Sequence, residues 1–361
     1  MGFKCGILGL PNVGKSTLFN AITKSSIPAE NFPFCTIEPN LGIVNVPDKR
    51  LDSINNIVNS EKVVPTTMSF VDIAGLVKGA SKGEGLGNAF LSNIREMNAL
   101  LHVVRCFDDE NVVHVDGAIN PLKDVETINL ELIFADLEVL EKREQKLEKL
   151  IRSGDRDAKK HKAIIQSLKD LMENGNLPKL DNFDIEEINF IESMNLLSTK
   201  PMLLIANLSD DSSRNNLDDI EAYAKSNDIN IILAIIKVEH ELATLEIEEQ
   251  AEYLELLGMD EPVLNKIILA GYKLLNLETF FTSGPKESRA WTMRKNSLAP
   301  EAAGVIHTDF ERGFIKAEVI SYEDFISCDG EYGAKQKGKL RLEGKDYLVK
   351  DGDVIHFKFN V

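Results

Sequence analysis

Residues 9–16 read Gly9-Leu-Pro-Asn-Val-Gly14-Lys15-Ser16, a full match to the pattern G-x-x-x-x-G-K-[ST]. The apolar stretch Lys4-Cys-Gly-Ile-Leu8 before it reads as a buried strand, and Ser16 opens a helix running to about Lys24. Strand, glycine turn and helix form the context in which this pattern cradles phosphate. Gly9 and Gly14 let the backbone curl so that successive N–H groups face a β-phosphate, and the helix N-terminus adds its positive end. Lys15 is placed to neutralise β- and γ-oxygens, and the Ser16 hydroxyl to ligate Mg²⁺. The candidate nucleotide-binding residues are therefore Asn12, Val13, Gly14, Lys15, Ser16 and Thr17, with Lys15 also a catalytic candidate.

Working outward, Asp72-Ile-Ala-Gly75 follows the strand Met68–Val71 and matches D-x-x-G. Asp72 is expected to hold Mg²⁺ through water, and the Gly75 N–H to meet the γ-phosphate. Thr36 lies between the two motifs and reads as a switch threonine that closes on the metal when γ-phosphate is present. Leu76 stands where Ras-type GTPases carry the glutamine that orients the attacking water. A leucine has no group that can do so, which predicts slow turnover or a substitute residue. The glycine-rich stretch 79–87 reads as a mobile switch, with a plain flexible loop as the alternative.

Further short apolar strands are predicted at 100–107, 202–206 and 229–236. Their alternation with helical segments implies a parallel sheet covered on both faces. At the end of the strand 202–206 stands Asn207-Leu208-Ser209-Asp210. A guanine reader carries N-K-x-D here. Leu208 replaces the lysine while Asp210 keeps a carboxylate, so both bases stay open on these residues alone.

The rhythm breaks between 125 and 200. Ile128, Leu132, Leu137, Leu140, Leu147, Leu150 and Ile151 fall near helical spacing among Glu and Lys, and Gly154 ends the run. Further helical stretches at about 158–174 and 185–197 complete a coiled-coil-like hairpin inserted into the sheet domain, with a helical core lacking any outside partner as the alternative. From 281 onward, glycines punctuate short strands, and Asp351-Gly352 signals a turn before the alternating run 354–359. The expected organisation is a nucleotide domain in two parts (1–124 and 201–280), the insert (125–200) and a small C-terminal α+β domain (281–361).

The chain has 361 residues and a formal net charge of −17. Apolar residues make up 43% and charged residues 27%, ordinary globular usage that excludes collagen-like and broadly disordered readings. The acid excess is local, with 16 acidic against 5 basic residues in 201–280. The opposite sign gathers at 152–162, where Arg152, Arg156, Lys159, Lys160 and Lys162 form a candidate phosphate-contacting patch; a solvated hairpin tip is the plainer reading. No apolar run reaches the ~18 residues of a membrane span. The start lacks signal-peptide features, and the four cysteines form no CxxC pair. The expectation is a reduced, cytoplasmic protein.

With these motifs in place, the chain resembles the YchF-type Obg-like ATPases essentially from end to end. The specific strings are 6–20, 31–40, 70–88 and 102–107, followed by Ala270–Leu277, Ile306–Glu311 and Lys345–Asp353. The resemblance implies an α/β P-loop NTPase domain of the translation-factor class, an inserted helical coiled-coil hairpin and a C-terminal β-grasp TGS domain. It further implies a Mg²⁺-dependent ATPase that prefers ATP over GTP, acts as a slow molecular switch and associates with ribosomes. Asn207 and Leu208 correspond to the base-reading segment, where the second residue meets adenine through its backbone. His114 matches the histidine implicated in hydrolysis in place of the missing glutamine. Two departures stand out: Asp210 where the family carries Glu, and Ile235-Ile236-Lys237 where small residues back the base. The alternatives are a GTPase switch, and a ribosome-binding module with structural nucleotide in which the C-terminal domain and the tip at 152–162 contact ribosomal RNA. Neither a membrane nor readout of DNA sequence is expected.

Overall fold

The computed structural model describes residues 3–24, 40–73, 86–108, 119–209 and 217–360. Among these, the strands in chain order are β1 Lys4–Leu8, β2 Leu41–Asn45, β3 Lys62–Val64, β4 Thr67–Asp72, β5 Ala99–Arg105 and β6 Met202–Asn207. They continue with β7 Asn230–Ala234, β8 Leu277–Thr282, β9 Glu287–Arg294, β10 Phe314–Ile320, β11 Arg341–Glu343 and β12 Val354–Phe359.

The first sheet has the order β2-β4-β1-β5-β6-β7, and β4, β1, β5, β6 and β7 run parallel. Every residue of β5 is buried, as a central strand covered on both faces requires. The predicted strands fall into this sheet with shifted ends. The run 229–236 yields only Asn230–Ala234 as strand, because Ile236 is already the first residue of the helix Ile236–Leu242. A short apolar run does not distinguish a strand from the buried start of a helix.

The insert is built on two helices, Pro121–Arg152 and Asp157–Glu173. The first starts before the expected boundary at 125, with Asn120 accepting a hydrogen bond from the Lys123 N–H and Pro121 in the first turn. Between the two, Gly154 has φ +94° and Asp155 Oδ1 caps the second helix by accepting from the N–H groups of Asp157 and Ala158. Lys162 reaches back to Glu148 at 2.8 Å and Lys169 to Glu144 at 3.0 Å, which fixes the antiparallel pairing. The half-exposed Lys162–Glu148 pair sets register more than stability. The cohesive part is a dry seam of Ile133, Leu140, Leu147, Ile165 and Leu168, closed by Phe190 and Ile191 from the helix Ile185–Ser193. At its base the fully buried Asp136 carboxylate accepts from the N–H groups of Leu197 and Ser198 and from the Ser198 hydroxyl, at 2.7–2.9 Å.

The second sheet runs β11-β10-β12-β8-β9-β3. Within it β8 and β9 form an antiparallel pair, β12 lies parallel to β8, and β10 is antiparallel to both β12 and β11. With the helix Ala299–Ile306 between β9 and β10, this is the β-grasp arrangement. Phe280, Phe314, Phe357 and Ala303 build its core. The expected start of the C-terminal domain at 281 falls inside β8. By contacts the chain divides into two units, one holding Ser69–Val263 with the described residues up to Gly42, the other holding Ile43–Met68 and Leu264–Val361. The early segment with the helix Lys49–Val58 and β3 joins the C-terminal sheet, and Leu51 and Ile54 pack there on Phe281 and Phe325.

Cys5, Cys106 and Cys328 are buried and unbridged. No helix among the described residues is long and apolar enough to cross a membrane.

Candidate nucleotide site

The C-terminal edge of the parallel sheet carries the site, as the topology of open α/β sheets leads one to expect. The chain leaves β1, turns through 9–14 and enters the helix Lys15–Lys24. Two positions of the turn tolerate only glycine. A Cβ on Gly9 would collide with the Val103 carbonyl oxygen. One on Gly14, where φ is +104°, would stand 2.5 Å from Asn207 Nδ2. Asn12 adopts the left-handed conformation at φ +63°, which asparagine tolerates better than most residues.

Lys15 is 7% exposed, and its Nζ donates to the Leu10 carbonyl at 2.6 Å. The ammonium is thus folded back over the loop it serves. Burial pushes Lys15 down to about 8, against the pull of the Asp72 charge. Ser16 Oγ donates to Asp72 Oδ2 at 3.3 Å, so the hydroxyl of the first motif and the carboxylate of the second converge from opposite sides of the loop. Burial raises the Asp72 pKa, while the Ser16 hydroxyl and the Lys15 charge lower it. The other carboxylate oxygen, Asp72 Oδ1, is buried and has no hydrogen-bond partner among the described residues. The same residues contain no cluster of three His, Cys, Asp or Glu side chains able to hold a metal. Thr17 sits half-buried behind the loop.

Asn207 is the residue whose role the sequence understated. Its Nδ2 donates to the Val13 carbonyl at 2.9 Å, and its Oδ1 accepts from the Ile236 N–H at 3.1 Å. One buried side chain therefore ties the phosphate loop to the ends of β6 and β7. The Leu208 N–H donates to the Ala234 carbonyl at 2.9 Å, extending the β6–β7 ladder past the strand. Ile236, one of the bulky departures, is turned into the interior, 1% exposed. His102 lies in β5 and opens the string 102–107. It is 1% exposed with both ring nitrogens unpartnered among the described residues, and burial, with the Lys15 charge adding, pushes it down to about 3. Thr36, Gly75, Leu76, His114 and Asp210 lie outside the described residues.

Residues 277–360 match the family model YchF-GTPase_C, described as a protein of unknown function, and residues 4–136 match MMR_HSR1, described as a 50S ribosome-binding GTPase. A Haemophilus ducreyi protein named Ribosome-binding ATPase YchF is 56% identical, with 100% of both chains covered. The chain belongs to the YchF family. YchF proteins of the same name from Escherichia coli O157:H7 and Bacillus subtilis are 54% and 51% identical, again with 100% of both chains covered. The solved structure of the Schizosaccharomyces pombe YchF GTPase superimposes with a TM-score of 0.88 at 38% identity, covering 99% of this chain and 98% of that one.

Proposed function

We propose that this YchF family member is a Mg²⁺-dependent ATPase that acts in the cytoplasm as a slow, ribosome-associated molecular switch, hydrolysing ATP to ADP and phosphate. The observation that carries this reading is the convergence of Lys15, Ser16 and Asp72 on a glycine loop pinned by Asn207, in a chain whose full-length relatives are named ribosome-binding ATPases.

The backbone of 12–17 would hold the β-phosphate, and Lys15 would exchange the Leu10 carbonyl for phosphate oxygens. The residues present fit Mg²⁺. Ser16 Oγ and Asp72 are hard oxygen donors, and Asp72 Oδ1, without a partner among the described residues, is an acceptor suited to a metal-bound water. Thr36 would complete the set, and Gly75 would meet the γ-phosphate. Bound there, the ion would neutralise charge developing on the phosphate oxygens. Leu76 offers nothing to orient water, so His114 takes that role in this reading. Leu208, with its N–H engaged by Ala234, would meet adenine through the rest of its backbone.

Turnover measured on three proteins tests the assignment. Lys15→Ala should abolish phosphate release. His114→Ala should retain ATP binding and slow hydrolysis by roughly a hundredfold, within the range removed with a water-positioning or general-base group. Parental turnover in His114→Ala would remove His114 from the mechanism.

The exposed tip at 152–160 supports ribosome contact. Arg152, Arg156, Lys159 and Lys160 are all exposed, whereas Lys162 is engaged by Glu148. We assign the four exposed cations to ribosomal RNA phosphates. Charge reversal at Arg156, Lys159 and Lys160 should then weaken co-sedimentation with ribosomes and flatten its salt dependence; unchanged binding would remove this contact. A GTPase is the second reading, favoured by Asp210 and by the name of the Schizosaccharomyces pombe relative.

A further inference from the structure

Gly6 stands in the middle of β1, three residues before the phosphate loop. Its φ is not positive, so no turn calls for it, and a glycine inside a strand is destabilising relative to alanine. What requires it is space. A Cβ on Gly6 would stand 2.5 Å from Ile73 Cδ1 and 2.6 Å from Met97 Cγ, about 1 Å short of ordinary contact. Ile73 and Met97 are both buried, so neither has open room to retreat into.

The two neighbours are held differently. Met97 is the anchored side: its N–H donates to the Ile94 carbonyl at 3.0 Å, and its own carbonyl accepts from Lys200 Nζ at 2.6 Å. That ammonium also donates to the Arg95 carbonyl at 3.2 Å and to Asn195 Oδ1 at 3.1 Å, so three acceptors fix it in place. Ile73 has its N–H on the Ile7 carbonyl at 3.1 Å and directly follows Asp72. A side chain wedged between the two therefore drives Ile73, and with it the chain next to the Asp72 carboxylate. Asp72 has little tolerance for that. Ser16 Oγ reaches Asp72 Oδ2 at 3.3 Å, already longer than the usual range of about 2.5–3.0 Å for a hydroxyl donor, so a few tenths of an ångström part them.

We propose, resting on the Mg²⁺ site read above, that Gly6 is a positioning residue for Asp72. By carrying no side chain it lets Ile73 seat on β1, and that seat holds the Asp72 carboxylate beside Ser16 and in place for Mg²⁺. Neither Lys15 nor the turn 9–14 takes part in the contact, so its loss acts on the metal rather than on the phosphates.

The test titrates a fluorescent ATP analogue into the full-length protein in excess Mg²⁺ and in EDTA, and takes the ratio of the two affinities. Gly6→Ala should cut the Mg²⁺-dependent gain by about tenfold, the value of one charged hydrogen bond, while affinity in EDTA stays within about twofold. Ile73→Val, which removes Cδ1, should lower the gain by about threefold. The double variant Gly6→Ala/Ile73→Val gives the new methyl group the space that Cδ1 leaves. It should return the gain to within about twofold of the wild-type value, because substitutions in contact do not add. Should Gly6→Ala alone fail to fold, Ile73→Val and the double variant carry the comparison. Equal losses in Mg²⁺ and EDTA, as a merely structural role would give, would overturn the assignment. So would an unchanged ratio in the single variants, or a double variant that does not recover it. No response to Mg²⁺ in the wild-type protein would refute the metal site itself, and this role of Gly6 with it.

Discussion

Asn207 and Val13 are 194 residues apart in sequence and 2.9 Å apart in space, the asparagine Nδ2 donating to the valine carbonyl. The same amide accepts from the Ile236 N–H. Phosphate loop and base-reading segment are therefore one hydrogen-bonded unit. A shift in either displaces the other.

Asn207→Ala should break that unit. It strands the buried Ile236 N–H and the Val13 carbonyl, at a cost of about 2 kcal/mol in stability. Nucleotide affinity should drop by about tenfold or more, because the loop loses its fixed shape. Thermal unfolding and nucleotide titration read the two effects separately. Unchanged affinity would show that the loop holds its shape without Asn207.

Lys15 makes nucleotide binding pH-dependent. Its pKa in the folded chain is lowered to about 8 from an ordinary 10.5, so between those values the unfolded chain holds more protons. Stability of the free protein should therefore rise with pH from about 8 to 10.5, as the buried ammonium sheds its proton. Phosphate oxygens favour the charged form, so binding near pH 8 should take up protons, and affinity should fall above it. Calorimetry in buffers of different ionisation enthalpy measures that uptake. Lys15→Met should abolish it.

Asp136 anchors the base of the helical insert. Asp136→Ala leaves the Leu197 and Ser198 N–H groups and the Ser198 hydroxyl without their acceptor. The expected loss is about 3 kcal/mol, read as a lower urea midpoint. Asp136→Asn, which keeps one acceptor oxygen, should lose less.

Local features were legible in sequence. The phosphate loop is contiguous, its glycines answer to backbone geometry, and Ser16 and Asp72 from the two motifs meet in the structure. The helical period of 125–200 was legible in the sequence; its first helix starts at Pro121, where Asn120 and Pro121 were the available signal. Non-local features were not legible. No periodicity marks Asn207 as a brace for Val13, or the segment with Leu51 and Ile54 as part of the C-terminal sheet's core. His102 sits in an apolar run where nothing separates it from its neighbours, and only packing shows both its nitrogens unpaired among the described residues.

In the function proposed above, this P-loop site selects ATP. Displacement of a fluorescent ATP analogue by unlabelled ATP and GTP at fixed Mg²⁺ tests it most directly. ATP should compete about tenfold better or more, since Leu208 stands where an N-K-x-D site carries the lysine that packs on guanine. Stronger competition by GTP would contradict it and make Asp210 the residue that reads the base.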